Sequence, residues 1–263
     1  VTLAGNSAEG TLFAAYELLE RLGCRWYLPG DWGTVVPEEK TVALPAGEVI
    51  QAPSFPSRHL QTVSRKLPWY RRQRFGGVYF PSCHGIDLLP RATVEKEPEL
   101  FALVGGKRVK SQLCVSNPEV LKRAVAAALA YFDKHPDEVF IGMGPNDGGG
   151  FCECPNCKAL DSGEWDPFSA EPSVTDRYIW FFNQVLAEVH KKHPDKKIGF
   201  YCYHTYQLTP KKWKPDPHIV PAFAPITLCR IHGAENPICP DRSFYREIME
   251  SWGKILPETY ERG

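Results

Sequence analysis

The stretch VFIGMGPNDGGGFCECPNC, residues 139–157, decides the fold that this sequence predicts. Its first five residues are apolar at nearly every position instead of alternating, which is typical of a strand buried on both faces. Strands of this kind belong to parallel sheets that helices cover on both sides. The glycines and polar residues that follow end the strand at Gly144, so a loop is expected from that point.

Helical patterns flank this strand on both sides. The preceding pattern has Asn117 as a candidate N-cap and Pro118 at the first helical position. The following pattern has Ser173 and Asp176 at capping-box spacing. A strand between two helices indicates a βαβ arrangement, and therefore a fold of the α/β class.

Other short apolar runs predict further strands, at residues 58–63, 77–80, 112–116, 198–203 and 219–229. They give about six βα steps, whereas a complete (β/α)8 barrel needs ~250 residues. The predicted fold is therefore α/β: a partial (β/α)8 TIM-type barrel, preceded by the C-terminal part of a small α/β domain. We expect the chain to be truncated at both ends, since it starts without Met and the barrel is short.

The first part of the chain predicts a separate unit. A helix capped by Asn6 and ended by Gly23 comes first, and a proline-rich crossing follows it. We place the boundary near residue 52. Residues 1–52 would form the small α/β domain with its crossing, and residues 53–263 the barrel domain.

Charge and composition exclude several classes of partner. The chain has 31 Lys and Arg against 31 Asp and Glu, so it lacks the basic surface expected of a protein that binds nucleic acid. No apolar stretch approaches the ~20 residues that a transmembrane helix needs. Nine cysteines are too few for a disulfide scaffold at this length. Oligomeric state is not predicted by any pattern.

The loop that begins at Gly144 is the first candidate site. Nearly thirty residues separate the buried strand from the next helix, against the 2 to 6 that are usual, and long loops at this edge of a parallel sheet are commonly functional. Asp147 lies where partial desolvation would raise the pKa of its carboxyl for general-acid chemistry. Asn146 is the second candidate for catalysis or ligand binding. The structural alternative is that both side chains cap a turn.

Polar and aromatic residues at other strand ends are candidate ligand contacts. Arg58, His84 and His204 follow predicted strands, while Tyr206 and Trp69 offer flat faces on which sugar rings can stack. A single residue of this kind is more often structural, and most aromatic residues belong to the core. The recurrence of polar groups at successive strand ends favours a binding site.

Cys152, Cys154 and Cys157 form a C-x-C-x-x-C cluster in the same loop. Thiolates at this spacing can hold a structural zinc ion, which takes four ligands. Two alternatives stay open, a disulfide and reduced thiols that pack in the core. The loop contains no fourth Cys or His, and the candidates for the missing ligand are Asp161, Cys83, His84 and Cys229. No cofactor is expected to be required.

Several segments resemble known carbohydrate-active families. Residues 10–27 resemble the small α/β domain that precedes the barrel in β-hexosaminidase-like and α-glucuronidase-like glycoside hydrolases. Residues 82–85, 98–108, 112–118 and 144–157 are similar to a bacterial domain of unknown function (DUF4838), which is found in the endo-β-N-acetylglucosaminidases of glycoside hydrolase family 163. The likeness to β-hexosaminidases is more distant.

The resemblance implies retaining hydrolysis of N-acetylglucosamine-containing glycans, assisted by the substrate's own 2-acetamido group. In the hexosaminidase pattern an Asp and a Glu follow the fourth strand, and Asn146 and Asp147 stand in their place here. Asp147 would be the proton donor and Asn146 would orient the substrate, with Glu153 as a substitute acid. The other residues of the sugar site would be Arg58, His84, His204 and Tyr206. The resemblance also implies a bacterial protein in the periplasm or outside the cell.

Two other functions fit the same residues. The first is a non-catalytic glycan-binding protein on the same scaffold. The second is a metal-dependent hydrolase that uses His84, His204 and His232, although the chain lacks the H-x-H and H-E-x-x-H spacings of such enzymes.

Overall fold

A computed structural model of the protein describes residues 1–60, 63–80, 84 and 93–261. Contacts between residues divide it into two compact units, Val1–Tyr79 and Phe80–Arg262. This division falls later in the chain than residue 52. The assignment of residues 1–52 to a small hexosaminidase-type domain stays a prediction.

The two units combine short helices and short strands. Helices lie at Ala8–Arg21 (α1), Pro68–Arg72 (α2), Pro118–Lys134 (α3), Pro155–Lys158 (α4), Thr175–Val189 (α5) and Pro240–Ile255 (α6). Strands lie at Arg25–Trp26 (β1), Thr34–Val35 (β2), Ser57–Arg58 (β3), Gly76–Gly77 (β4), Phe101–Val104 (β5), Lys107–Leu113 (β6), Phe140–Gly142 (β7), Trp165–Asp166 (β8), Glu171–Pro172 (β9), Lys197–Cys202 (β10), Ile219–Phe223 (β11) and Tyr260–Glu261 (β12). Within the described ranges, none of these helices has both the length and the apolar character to cross a bilayer.

The first unit begins with the helix that the sequence predicts, but its cap differs by one residue. Ser7, not Asn6, is the N-cap, because its extended backbone brings the side-chain oxygen to 3.0 Å from the amide of Gly10. At the other end Gly23 has a φ of 94°, and its amide bonds to the carbonyl of Glu20. The glycine thus closes the helix in the left-handed conformation that was predicted.

The second unit contains a four-stranded parallel sheet, in the order β12-β11-β10-β7. Lys197 of β10 pairs with Phe140 of β7, and Ile198 pairs with Ile219 of β11. Helix α5 connects β7 to β10, and α6 connects β11 to β12. The parallel strands predicted at residues 139–143, 198–203 and 219–229 are therefore confirmed, although the last one ends at Phe223.

Three other predicted strands, at residues 58–63, 77–80 and 112–116, overlap antiparallel pairs, so their assignment to the parallel sheet is wrong where the structure describes them; residues 61 and 62 lie outside the described residues. Strands β3 and β4 pair antiparallel within the first unit, and β5 pairs antiparallel with β6. The second pairing has a clear local cause. Gly105 and Gly106 form the connection with φ values of 54° and 77°, and a two-residue turn with both φ positive can join only antiparallel neighbours.

Helices α3 and α5 pack side by side in the second unit. Helix α3 begins as predicted, with the side chain of Asn117 accepting a hydrogen bond of 2.8 Å from the amide of Glu119. The core beneath the sheet is largely aromatic. Phe200 of β10 packs between Phe182 of α5, at 5.4 Å between ring centroids, and Trp252 of α6, at 5.9 Å.

The capping box predicted at the start of α5 does not form. Val174 is the N-cap, and the carboxylate of Asp176 accepts backbone hydrogen bonds from Lys211, Lys212 and Trp213 instead. Asp176 is buried. Its carboxylate bonds to backbone amides that are distant in sequence, although its spacing from Ser173 predicted a bond at the start of its own helix. The helix thereby holds the segment that follows β10.

Replacing Asp176 with Ala should lower the free energy of unfolding by about 3 kcal/mol, because the amides of residues 211–213 lose a charged acceptor. Chemical denaturation measures this change. The control is Asp137→Ala, at an exposed position, which should change the free energy by no more than about 0.5 kcal/mol. Equal losses in the two variants would contradict the role given to Asp176.

Candidate functional site

The carboxyl ends of β7 and β10 bring Asp147 and Tyr203 together, and Tyr201 of β10 and His84 lie beside them. The two strands are parallel neighbours, so the residues that follow them meet at one edge of the sheet. The hydroxyl of Tyr203 donates a hydrogen bond to Oδ1 of Asp147. Nε2 of His84 lies 3.9 Å from the same oxygen, and the His84 ring meets the ring of Tyr201 edge to face at 4.6 Å. We call these four residues the Asp147 cluster.

The carboxylate of Asp147 is open to solvent. Its side chain is 76% exposed, so burial does not supply the desolvation that the sequence analysis expected. Its position is nevertheless defined, because the amide of Gly148 also donates to Oδ1, at 3.0 Å. The cluster therefore presents a fixed, accessible carboxylate beside aromatic rings.

Asn146 is held by strand β6. Its side-chain Nδ2 donates to the carbonyl of Ser111, at 2.8 Å, and its backbone amide donates to Oε1 of Gln112, at 2.9 Å. The amide group that was predicted to orient a substrate therefore fixes the loop to β6. This contact is structural, but it is not the turn cap that was the alternative for Asn146. A role for Asn146 in binding a substrate stays a prediction.

Gln112 is a central residue that the sequence analysis missed. It is buried, and its Nε2 donates to the carbonyls of Asn146, at 2.8 Å, and Gly148, at 3.2 Å. One side chain thus satisfies three backbone groups of the loop. The signal in the sequence was a glutamine directly before the apolar run of residues 113–115, where a buried amide must find partners.

Gly150 allows the loop to approach β6 closely. The hydroxyl of Ser111 donates to the carbonyl of Gly150 at 2.7 Å, and the backbone of Gly150 has a φ of 76°. A Cβ atom there would lie 2.6 Å from the Ser111 hydroxyl oxygen, inside van der Waals contact. A glycine is therefore required at this position.

Of two other predicted contact residues in the second unit, Tyr206 packs beneath the cluster and His204 lines a separate cavity. Tyr206 is 1% exposed, and its ring packs against those of Tyr203, at 5.1 Å, and Phe151, at 6.0 Å. Burial raises the pKa of Tyr206. His204 has a φ of 52° and lines a small cavity with Phe168 and other side chains. Tyr206 therefore belongs to the core and does not offer an open platform.

Arg58 and Trp69 lie in the first unit, where both make hydrogen bonds to backbone carbonyls. The guanidinium of Arg58 donates to the carbonyls of Phe55, at 2.8 Å, and Arg74, at 3.1 Å. The indole of Trp69 donates to the carbonyl of Trp26 at 2.8 Å. Their role in binding a sugar stays a prediction.

The cysteines of the loop meet a fourth cysteine, Cys114, which follows β6. The four sulfur atoms of Cys114, Cys152, Cys154 and Cys157 all lie within 4.8 Å of one another, and all four residues are buried. We call them the four-cysteine cluster. Every cysteine in the described ranges is unpaired, so no disulfide joins them there.

None of the described residues proposed as the fourth ligand reaches this cluster. Asp161 forms an ion pair with the buried Arg177, and Cys229 lies 3.3 Å from Nδ1 of His232. His84 belongs to the Asp147 cluster, and Cys83 lies outside the described residues. Cys114 was not predicted as a ligand, because forty residues of sequence separate it from Cys154. The antiparallel β5–β6 pair places Cys114 next to the loop.

The substitution Gln112→Leu should detach the loop from β6. It removes the partners of three backbone groups, so we expect the free energy of unfolding to fall by about 3 kcal/mol and the amide of Asn146 to exchange hydrogen faster. Denaturation and hydrogen exchange measure the two effects. Gln184→Leu, at an exposed position of α5, is the control, and unchanged exchange at Asn146 in the Gln112 variant would contradict this assignment.

The ionisation of Tyr203 should report on Asp147. Burial raises the pKa of Tyr203, and its hydrogen bond to the Asp147 carboxylate raises it further, since a phenolate would face a negative charge. Asp147→Asn should therefore lower the Tyr203 pKa, which should stay above its ordinary value because burial remains. Ultraviolet titration of each protein against its Tyr203→Phe counterpart isolates this group. A pKa that does not change would show that the two side chains do not interact.

Comparison with known proteins identifies the family. A search of curated proteins finds no match. The family model described as "Domain of unknown function (DUF4838)" matches residues 28–260, a range that includes the Asp147 loop and the four-cysteine cluster. The match covers most of the chain and confirms the family that its sequence predicted. The chain belongs to the DUF4838 family.

Proposed function

We propose that this protein is a glycoside hydrolase that acts on N-acetylglucosamine-containing glycans, with Asp147 as the proton donor. The observation that carries the proposal is the position of the Asp147 carboxylate. It is accessible, it lies at the carboxyl edge of a parallel sheet, and the Tyr203 hydroxyl and the Gly148 amide hold it in place. Ligands of α/β sheets bind at this edge.

The groups around Asp147 suit a sugar. A carboxylate and an imidazole can hydrogen-bond hydroxyl groups, and aromatic rings can pack against the apolar face of a pyranose. The high exposure of Asp147 leaves room for a long glycan, which a closed pocket would exclude. These properties support a carbohydrate ligand over a small, fully enclosed one.

The proposed reaction is retaining hydrolysis assisted by the substrate. The oxygen of the 2-acetamido group attacks the anomeric carbon, the glycosidic bond breaks, and the protonated form of Asp147 donates its proton to the leaving oxygen. Water then adds to the anomeric carbon as its bond to the acetamido oxygen breaks, and one proton of that water returns to the Asp147 carboxylate. Tyr203 acts as a positioning residue for Asp147. His84 is placed to bind a hydroxyl group of the sugar. Nδ2 of Asn146 is bonded to Ser111, so this nitrogen does not donate to the substrate.

The finer fold assignment is part of the same proposal. We place the strands β7, β10, β11 and β12 in a partial (β/α)8 barrel. Their consecutive parallel order and the connecting helices α5 and α6 support this placement. A glycan substrate also favours a periplasmic or extracellular location.

Binding without hydrolysis is the second candidate function, and the contacts of Asn146 favour it. The hexosaminidase pattern needs a second side chain to orient the acetamido group, and the one adjacent to Asp147 is bonded to β6. A metal-dependent hydrolase built on His84, His204 and His232 has less support. Three groups of side chains in the described residues are placed to share a metal ion, and none of them contains these three histidines together.

The substitution Asp147→Asn separates the two functions. We expect release of N-acetylglucosamine-containing product from an N-glycan to fall at least about 100-fold, because the variant has no proton to donate, while affinity for the glycan changes little. Product analysis and calorimetric titration measure the two quantities, and Asp137→Asn is the control.

The outcomes of this experiment are distinct. Unchanged turnover in Asp147→Asn would overturn the catalytic role of Asp147. Binding of the glycan without any hydrolysis by the unmodified protein would establish the second function in place of the first. If the unmodified protein neither binds nor hydrolyses the glycan, both proposed functions are contradicted.

A further inference from the structure

We propose that Cys114, Cys152, Cys154 and Cys157 bind one zinc ion as four thiolates, and that the ion holds the Asp147 loop against β6. The inference does not depend on the proposed function, since it rests on the cysteines alone. It assigns the cluster to a structural metal centre.

The distances between the sulfur atoms fit tetrahedral coordination. Sγ of Cys114 lies 3.7 Å from Sγ of Cys154 and 3.8 Å from Sγ of Cys157. A tetrahedron with Zn–S bonds of about 2.3 Å has sulfur atoms about 3.8 Å apart. A disulfide would instead bring two of them to about 2.05 Å. The cluster therefore has the spacing of metal ligands.

The chemistry of the four donors selects zinc. Four buried sulfur ligands form a closed site with no position left for water or substrate, which is the pattern of structural zinc. Thiolates are soft ligands, and a tetrahedral arrangement of four of them is typical of zinc or of iron. Binding would release up to four protons, one from each thiol, as each S–H bond is replaced by a bond to the metal.

The surroundings can stabilise the negative charge of such a site. The amide of Leu103 donates to Sγ of Cys152 at 3.3 Å, and the amide of Cys157 donates to Sγ of Cys154 at 3.4 Å. A guanidinium nitrogen of Arg108 lies 3.9 Å from Sγ of Cys152. Hydrogen bonds and a cation around the ligands are the outer contacts that tune zinc–thiolate centres.

The ligands come from two parts of the chain. Cys114 directly follows β6, whereas the other three belong to the loop after β7, with Cys154 as the N-cap of α4. One ion would thus join the loop to the β5–β6 pair. At the same point the backbone amide of Glu153 donates a hydrogen bond of 2.7 Å to the carbonyl of Leu103 in β5. The proposed role is to fix the segment that carries Asp147.

Two other groups of candidate ligands occur in the described part of the chain, and neither has these properties. One contains Cys229, His232 and Cys239, and the other contains His190, Asp216 and His218. Each offers three ligands, and each includes residues that are open to solvent. The four-cysteine cluster is the one that is both complete and buried.

The test uses the purified protein and the variant Cys114→Ala. Elemental analysis should find about one zinc per chain in the unmodified protein and at least a tenfold lower content in Cys114→Ala. The control is Cys202→Ala, which removes a buried thiol outside the cluster and should keep its zinc. A strong chelator should lower the melting temperature of the unmodified protein and of Cys202→Ala, and should leave that of Cys114→Ala unchanged.

Each other result would overturn the proposal. A protein that takes up no zinc after reduction and zinc addition, a Cys114→Ala variant that keeps its zinc, or iron in place of zinc would contradict the assignment. Resistance of the four thiols to alkylation until they are reduced would show disulfides instead. If Cys114→Ala does not fold, cobalt substitution of the unmodified protein decides the question, because a four-thiolate site gives intense tetrahedral and charge-transfer absorption and its absence would refute the site.

Discussion

The attachment of the loop after β7 to strand β6 is the constraint on which the site depends. Gln112 is buried. Its side-chain oxygen accepts a hydrogen bond from the amide of Asn146, and its side-chain nitrogen donates to the carbonyls of Asn146 and Gly148. Because these bonds fix the residues on either side of Asp147, the exposed carboxylate keeps a defined position without being buried itself.

The same attachment connects the candidate active site to the candidate metal centre. Beyond Asp147 the loop passes Gly150, which lies against Ser111, and then reaches the cysteines that meet Cys114. The carboxyl-terminal part of β6 and the residue that follows it thus contact one loop. A zinc ion would strengthen an attachment that hydrogen bonds already define, so loss of the metal is expected to loosen the site before it unfolds the sheet.

The features that the sequence predicted correctly are those set by local patterns. The position of strand β7, the Asn117 cap of α3 and the left-handed Gly23 each follow from a few adjacent residues. The burial predicted for β7 on both faces is not found, since Phe140 is buried but Ile141 and Gly142 are only partly so. The errors come from contacts that span the sequence. Asp176 bonds to residues 211–213 and not to its own helix end, and Cys114 joins cysteines that lie about forty positions away. Gly105 and Gly106 are a local indication of the antiparallel β5–β6 turn. The turn was not predicted, because the strand at residues 112–116 was assigned to a parallel sheet.

In both proposed functions a glycan binds at Asp147, whether or not it is then hydrolysed. Nuclear magnetic resonance of the isotopically labelled protein tests this most directly, by titration with an N-acetylglucosamine oligosaccharide. We predict saturable shifts of the amide signals of Gly148 and Tyr203, with little change at residues of the four-cysteine cluster. Shifts confined to other parts of the protein, or no shifts at all, would contradict the account.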